Sequence, residues 1–258
     1  MKQDQKFKCV IAAVTFASVF GASQQVRAES GVSFVENFDN LSAQRWYVSD
    51  GWTNGAHQNC YWTKSNARIR SGVLQLHFNQ GSGRYQCAEV QSRQIFSHGT
   101  FEVRMRAPKP SSGFNAAFFT YTGPHAGTRH DEIDVELLMR QPSSVWLNVH
   151  VDGDGANGIN IQDQPLSTQF NDYAFVWKPD RLEWFINGKS VRIIDDPEKI
   201  PVTPQKIYAS LWSSDTLTDW MGTFDRPSIP HFLEIDRISY TRLGDACQFE
   251  GSVACSVN

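Results

Sequence analysis

The chain has 258 residues, enough to bury the core of one large domain or two small ones. Its formal net charge of −3 at pH 7 gives no electrostatic reason to expect nucleic acid or an anionic membrane surface as a partner. Hydrophobic residues make up 40% of the chain and aromatic residues 12%, which is typical of a globular, aromatic-rich protein.

The N-terminal segment has the pattern of a secretory signal peptide. Three lysines precede an apolar stretch from Cys9 to Ala22, and Val26 and Ala28 offer small residues at a cleavage site. The apolar stretch of about fourteen residues is shorter than the ~20 residues that a membrane-spanning helix needs, so cleavage is favoured over anchoring. We predict a signal peptide over residues 1–28 and a single domain over 29–258. The mature protein is then secreted, extracellular or periplasmic, without membrane contact.

The strand pattern begins after the signal segment. Apolar residues recur with a period of two from Val32 onward, and Asn187-Gly188 between two apolar runs predicts a hairpin. No amphipathic helical stretch of useful length is present. We predict strands, in chain order, over residues 73–78, 101–106, 114–122, 132–138, 145–151, 173–177, 181–186, 191–194, 207–213 and 232–241. Turn signals at intervals of roughly 8 to 15 residues indicate a β-sandwich or a barrel.

Four cysteines remain once the signal segment, with Cys9, is removed. An even number in an exported chain suggests two disulfides, and pairing by proximity gives Cys60–Cys87 and Cys247–Cys255. Four cysteines allow three connectivities. A metal site is the alternative, but no C-x-x-C or H-x-x-x-H spacing supports it.

The segment 132–138 is the one that indicates chemistry. Glu132, Asp134 and Glu136 alternate with apolar residues, so a strand would put the three carboxylates on one face. Crowded carboxylates raise one another's pKa, and glycoside hydrolysis needs one ionised and one protonated acid. Two Glu side chains at i and i+4 that lean inward would leave roughly 5 to 6 Å between carboxyls, which suits a retaining mechanism. An exposed acidic strand without function is the alternative.

The segment Glu132-Ile-Asp-Val-Glu136 resembles the active-site signature of glycoside hydrolase family 16, in the regular-strand form of its lichenase branch. The likeness covers roughly residues 34–258. Segments 51–55, 99–105, 118–124 and 211–212 resemble lichenases in the same order. Segments 215–224 and 243–249 resemble endo-glycanases of the family that trim the bacterial exopolysaccharide succinoglycan. The resemblance implies an all-β jelly-roll sandwich of two antiparallel sheets with a concave substrate cleft.

The resemblance also implies roles for the three acids. Glu132 would be the nucleophile, Glu136 the acid/base, and Asp134 a hydrogen-bonding neighbour that tunes the nucleophile. The implied activity is a retaining endo-β-glycanase on a β-1,3/1,4-linked glucan-type polysaccharide, without a cofactor for catalysis and acting as a monomer. Two alternatives stay open: a lectin-like, non-catalytic jelly roll and a transglycosylase on the same fold.

The same likeness assigns further residues to the cleft. We expect sugar contacts from Trp52, Asn54, Glu89, Phe119, Tyr121, His130, Asn148, His150 and Trp212. Packing in the core or in the cleft wall is the alternative for the aromatic residues, and a solvated surface carboxylate is the alternative for Glu89. Lichenases carry Trp and Tyr where this chain has His130 and His150, so the expected glycan is not plain cereal β-glucan. A metal pair or a general base is the other interpretation of the two histidines.

Family members also hold a structural calcium ion on the convex face. By similarity Asp236 would supply a carboxylate, and backbone carbonyls near Asn37 and Gly72 would complete the site. Ligation by oxygen alone suits Ca²⁺. The alternative is that Asp236 caps a strand or pairs with an arginine.

Overall fold

The computed structural model describes residues 31–81, 83–162, 165–228 and 230–257, so the predicted signal peptide lies outside the described residues. Among these residues no helix is long and apolar enough to cross a lipid bilayer. The strands are β1 Phe34–Glu36, β2 Trp46–Val48, β3 Cys60–Trp62, β4 Ala67–Arg70, β5 Val73–Gln80, β6 Tyr85–Ser92, β7 Gly99–Arg106, β8 Phe114–Thr122, β9 Asp131–Leu138, β10 Val145–His150, β11 Ile159–Ile161, β12 Asn171–Lys178, β13 Arg181–Ile186, β14 Lys189–Ile194, β15 Lys206–Ser213 and β16 His231–Arg242. The helices are α1 Thr218–Met221 and α2 Ala254–Val257.

The strands form two curved layers that meet where β5 and β6 pair. The cleft layer has the order β11-β10-β9-β8-β15-β6, with β2 beside β6, and the back layer has the order β5-β16-β7-β12-β13-β14, with β1 and β4 at its side. Phe118 of the cleft layer packs against Phe175 of the back layer, with ring centroids 6.0 Å apart. The indole N–H of Trp184 in β13 donates to the backbone oxygen of Asp134 in β9 at 3.1 Å. The predicted all-β sandwich of antiparallel sheets is confirmed.

Each strand predicted from the alternation is present, and the differences lie at the ends. The hairpin turn has positive φ at both central residues, 50° at Asn187 and 75° at Gly188, which is the geometry that Asn-Gly tolerates. The sequence did not predict β1, β2, β3, β4 and β11, because three or four residues are too few to show an alternation. It also missed β6, in which Cys87 and neighbouring residues on both faces are buried, so the strand shows no regular polar face.

Both disulfides have the predicted connectivity, which is confirmed. Cys60–Cys87 ties β3 to β6, and both residues are fully buried. Cys247–Cys255 closes the C-terminal tail, which the buried carboxylate of Glu102 holds against β7 by accepting hydrogen bonds from Ser252 Oγ and from the next backbone N–H.

The two bridges should differ in how much they stabilise the fold. Cys60–Cys87 spans 27 residues and Cys247–Cys255 spans 8, and the loss of chain entropy in the unfolded state grows with loop length. We expect the paired change to serine to cost about 3.5 kcal/mol at Cys60 and Cys87, and about 2.5 kcal/mol at Cys247 and Cys255. Urea unfolding of the two double variants measures both. A larger loss for the tail variant would contradict this ranking.

Candidate active site

Strand β9 places three carboxyl groups in a row on the outward face of the cleft layer. Glu132 and Glu136 are partly buried and Asp134 is only 4% exposed, whereas the apolar residues between them lie in the core. The antiparallel register sets Tyr121 and Phe119 of β8 opposite Glu132 and Asp134. Strand β10 flanks the other side of the row with residues of the same face. The alternation in the sequence therefore corresponds to the two faces of β9, with the acids toward the cleft and the apolar residues toward the core.

The outward face carries a cleft of about 730 Å³. Glu132 and Glu136 both line it. Of the residues expected to contact sugar, those that line the cleft are Trp52, Asn54, Glu89, Phe119, Tyr121, His130 and Trp212. Asn148 and His150 lie on β10 opposite Asp134 and Glu132, next to the carboxyl row.

Several cleft residues were not anticipated from the sequence. They are His57, His125, Lys206, Tyr208 and Ser210. On β15, every second residue from Lys206 to Trp212 faces the cleft. Because Trp212 was expected in the cleft, the period of two along the strand would also have predicted Lys206, Tyr208 and Ser210 there. The two histidines lie outside the strands, where no periodic signal exists.

Glu136 is placed to hold a proton at neutral pH. Burial raises the pKa of Glu136 to about 8, and the charge of Glu132 adds to the rise. The Asn115 amide opposes this shift, since its Nδ2 donates to Glu136 Oε1 at 2.7 Å and so favours the ionised form. The group can therefore donate a proton to an oxygen in the cleft.

Asp134 lies between the two glutamates, in surroundings that favour its protonated form. Burial raises the pKa of Asp134 well above its ordinary value, and the charges of Glu132 and Glu136 raise it further. Asp134 shares a hydrogen bond with Glu132, so the protonated form of Asp134 can donate to a Glu132 oxygen. This arrangement leaves Glu132 as the acceptor of the row.

Two histidines complete the surroundings of Glu132. His130 Nε2 lies 2.6 Å from Glu132 Oε2, and this hydrogen bond raises the pKa of His130, so the imidazole donates to the carboxylate. His150 Nε2 lies 3.6 Å from Asp134 Oδ2 and 4.0 Å from Glu132 Oε2, and burial lowers the pKa of His150. The two rings are stacked with centroids 4.9 Å apart. A carboxylate held by fixed donors on one side presents its other lone pairs to the cleft.

The rest of the cleft offers polar groups and aromatic faces. Glu89 is 3% exposed, so it is not a solvated surface carboxylate. Burial raises the pKa of Glu89 to about 7, and Ser49 Oγ donates to it at 2.6 Å. Phe119 stacks on Tyr208 at 4.9 Å, and Trp52 is 38% exposed. Rings of this kind pack against the apolar faces of sugars.

The residues expected to bind calcium lie on the back layer. Asp236 occupies a register shift in β16, and Gly72 lies in the turn between β4 and β5. The only carboxylate of the set is already paired, since Asp236 Oδ2 lies 3.2 Å from Arg104 Nε. Oxygen donors suit Ca²⁺, but a calcium ion here would compete with a guanidinium, so the fit is poor. Calcium with Asp236, Asn37 and Gly72 stays a prediction, and none of the chemistry below uses it.

Comparison with known proteins agrees with this geometry. Residues 54–228 match the model of glycosyl hydrolases family 16. The endo-1,3-1,4-beta-glycanase ExoK of Rhizobium meliloti (strain 1021) is 46% identical over 230 residues, which cover 87% of this chain and 84% of that protein. A beta-glucanase of Bacillus subtilis (strain 168) is 32% identical over 88% of this chain and 93% of its own length.

The solved structures give the same result. The beta-glucanase of Bacillus licheniformis superposes with a TM-score of 0.80 at 31% identity, over 83% of this chain and 100% of that one. The chain therefore belongs to glycosyl hydrolase family 16, and the resemblance and the jelly-roll fold drawn from the sequence are confirmed. It is a glycoside hydrolase of a family that needs no cofactor for catalysis and whose typical mechanism is retaining.

Proposed function

We propose that the protein is a secreted endo-1,3-1,4-β-glycanase in which Glu132 is the nucleophile and Glu136 is the acid/base. The observation that carries the proposal is the row of three carboxyl groups on one face of β9, in which Glu132 and Glu136 have different hydrogen-bond partners. Glu136 holds a proton because burial raises its pKa to about 8, while Glu132 accepts hydrogen bonds from its neighbours. The relatives support the linkage class, since the ExoK protein is an endo-1,3-1,4-beta-glycanase by name.

In the first step, a Glu132 oxygen attacks the anomeric carbon from one face of the sugar. The bond between that carbon and the glycosidic oxygen breaks, and Glu136 gives its proton to the departing oxygen. The products are a glycosyl ester of Glu132 and the released reducing-side fragment. Asp134 and His130 orient the attacking carboxylate through their hydrogen bonds to it.

In the second step, the ionised Glu136 takes a proton from water as that water attacks the anomeric carbon. The ester bond breaks, Glu132 leaves as a carboxylate, and Glu136 is again protonated. Two inversions at one carbon give net retention. Asn115 stabilises the ionised form of Glu136, because its amide donates a hydrogen bond to the carboxylate.

Azide rescue tests the assignment of the two glutamates. Glu132→Ala removes the nucleophile and should abolish hydrolysis. With an activated aryl β-glycoside, azide can occupy the vacated space and attack directly, so the expected product is the α-glycosyl azide. NMR of the product gives the configuration.

Glu136→Ala is the matched control. It should lower the hydrolysis of polysaccharide by about 10²–10⁴-fold, the usual contribution of a general acid or base. Azide should then intercept the glycosyl-enzyme and give the β-glycosyl azide. If the two variants gave the opposite configurations, the roles of the two glutamates would be reversed. Full activity of Glu132→Ala would contradict the assignment of Glu132 as the nucleophile.

We further propose that the natural substrate is a bacterial exopolysaccharide of the succinoglycan type. The identity to the ExoK protein is 46%, against 32% to the beta-glucanase of Bacillus subtilis, and this difference supports the choice. So do His130 and His150 beside the carboxyl row, where lichenases have aromatic residues. Secretion as a monomer is part of the proposal, and the signal pattern over residues 1–28 and the two disulfides support export.

Digestion of succinoglycan and of lichenan in parallel tests the substrate. We expect internal cleavage of succinoglycan, with kcat/KM about tenfold or more above that for lichenan, a difference of ~1.4 kcal/mol in transition-state stabilisation. Mass and linkage analysis of the products identifies the bond that is cut. A preference for lichenan would contradict the substrate, and binding without any new reducing ends would favour the lectin-like alternative. Sugar–sugar products in place of free reducing ends would favour transglycosylation.

A further inference from the structure

Three side chains beside the carboxyl row converge on one point through atoms that bind metals. His130 and His150 each offer an imidazole nitrogen and Glu132 offers a carboxylate oxygen, and these three atoms all lie within 4.8 Å of one another. The shortest separation is 2.6 Å, from His130 to Glu132, and His150 Nε2 lies 4.0 Å from the same oxygen. The strand register brings the three residues together, because His150 on β10 lies directly opposite Glu132 on β9 and His130 immediately precedes β9.

The donor set and its spacing suit a transition-metal ion. Two imidazole nitrogens and one carboxylate oxygen are ligands that Zn²⁺ and Cu²⁺ prefer over Ca²⁺ or Mg²⁺. Zinc bonds of ~2.0–2.1 Å in a tetrahedral site hold the ligand atoms ~3.3 Å apart. The observed separations lie on either side of that value, so small side-chain rotations would bring all three atoms to an ion.

The site is reachable and has room for a fourth ligand. The side chains of His130, Glu132 and His150 are 32%, 19% and 26% exposed. His130 and Glu132 line the open cleft, from which an ion and a water molecule could enter. Three protein ligands with an open position are the usual arrangement of an accessible zinc site.

The neighbour of His150 does not block this use of its ring. Asn148 Nδ2 lies 3.1 Å from His150 Nε2. Asn148 Oδ1 is buried and has no hydrogen-bond partner among the described residues, and neither has His150 Nδ1. Because only the Nδ2 group of the Asn148 amide is hydrogen-bonded, that side chain can rotate away at small cost when an ion binds His150 Nε2.

We propose that His130, Glu132 and His150 form a binding site for a divalent transition-metal ion such as Zn²⁺, and that the bound ion inhibits the enzyme reversibly. The ion would occupy Glu132 Oε2, an oxygen of the proposed nucleophile, and would neutralise its charge. Binding follows from the three ligands alone, whereas inhibition rests on the proposed function of Glu132.

Calorimetric titration of the mature protein with ZnCl₂ tests binding without reference to activity. We expect one Zn²⁺ per chain, and affinity at least about tenfold lower in His130→Asn and in His150→Asn. His57→Asn is the matched control, because His57 lines the same cleft but lies outside the cluster. The affinity of this variant for Zn²⁺ should equal that of the parent protein. Circular dichroism confirms that each variant is folded.

A spectroscopic readout identifies the ligands. The electron paramagnetic resonance spectrum of the Cu²⁺-loaded protein should show coupling to two imidazole nitrogens, and to one in either histidine variant. Affinity and spectra that are the same in parent, His130→Asn and His150→Asn would overturn the proposal. So would the absence of stoichiometric binding in the parent protein.

Inhibition is measured separately. Zn²⁺ should lower kcat/KM for polysaccharide competitively, EDTA should restore it, and the inhibitory concentration should rise about tenfold or more in His150→Asn. Stoichiometric binding without inhibition would keep the metal site and contradict the role of Glu132. Loss of the metal site with normal azide rescue would overturn this inference and leave the proposed function intact.

Discussion

The structure depends on the crowding of three carboxyl groups on one strand, in surroundings that water only partly reaches. A strand that alternates acidic and apolar residues must place all the acids on the same face, and in β9 that face lines the cleft between the neighbouring strands β8 and β10. Burial raises the free energy of each ionised carboxylate in the row, and each ionised carboxylate makes ionisation of its neighbours less favourable. The row therefore does not ionise as a set. Burial favours the protonated forms of Glu136 and Asp134, and Glu132, to which Asp134 and His130 are hydrogen-bonded, is the acceptor.

The rest of the fold holds this arrangement in place. Trp184 of the back layer donates to the backbone oxygen of Asp134, so the centre of β9 is fixed against the core. Arg192 of β14 donates to the backbone oxygen of Leu147 in β10 at 2.7 Å, which ties the flanking strand to the same layer. Asn115 reaches Glu136 from β8. Asp134 and Glu136 are thus held by contacts from two different elements, β13 and β8.

The sequence predicted most of the fold because the long strands alternate cleanly. It predicted the row on β9 for the same reason, since a period of two fixes which side chains share a face. It could not predict the short strands or two cleft histidines outside the strands, His57 and His125, because their positions depend on how the chain packs. The alternation by itself did not indicate which acid keeps the proton, and only the family resemblance assigned it. That depends on burial and on partners such as Asn115 and His130, which come together only in the folded chain.

The ionisation of the row can be observed directly by ¹³C NMR titration of the carboxyl carbons in the resting protein. In the parent protein the Glu136 signal should titrate at a pKa of about 8. Glu132→Gln removes a negative charge and should lower the pKa of Glu136, and Asn115→Ala removes a donor to the ionised form and should raise it. A Glu136 that titrates near its ordinary value of 4.5, or one whose pKa neither change moves, would contradict the account.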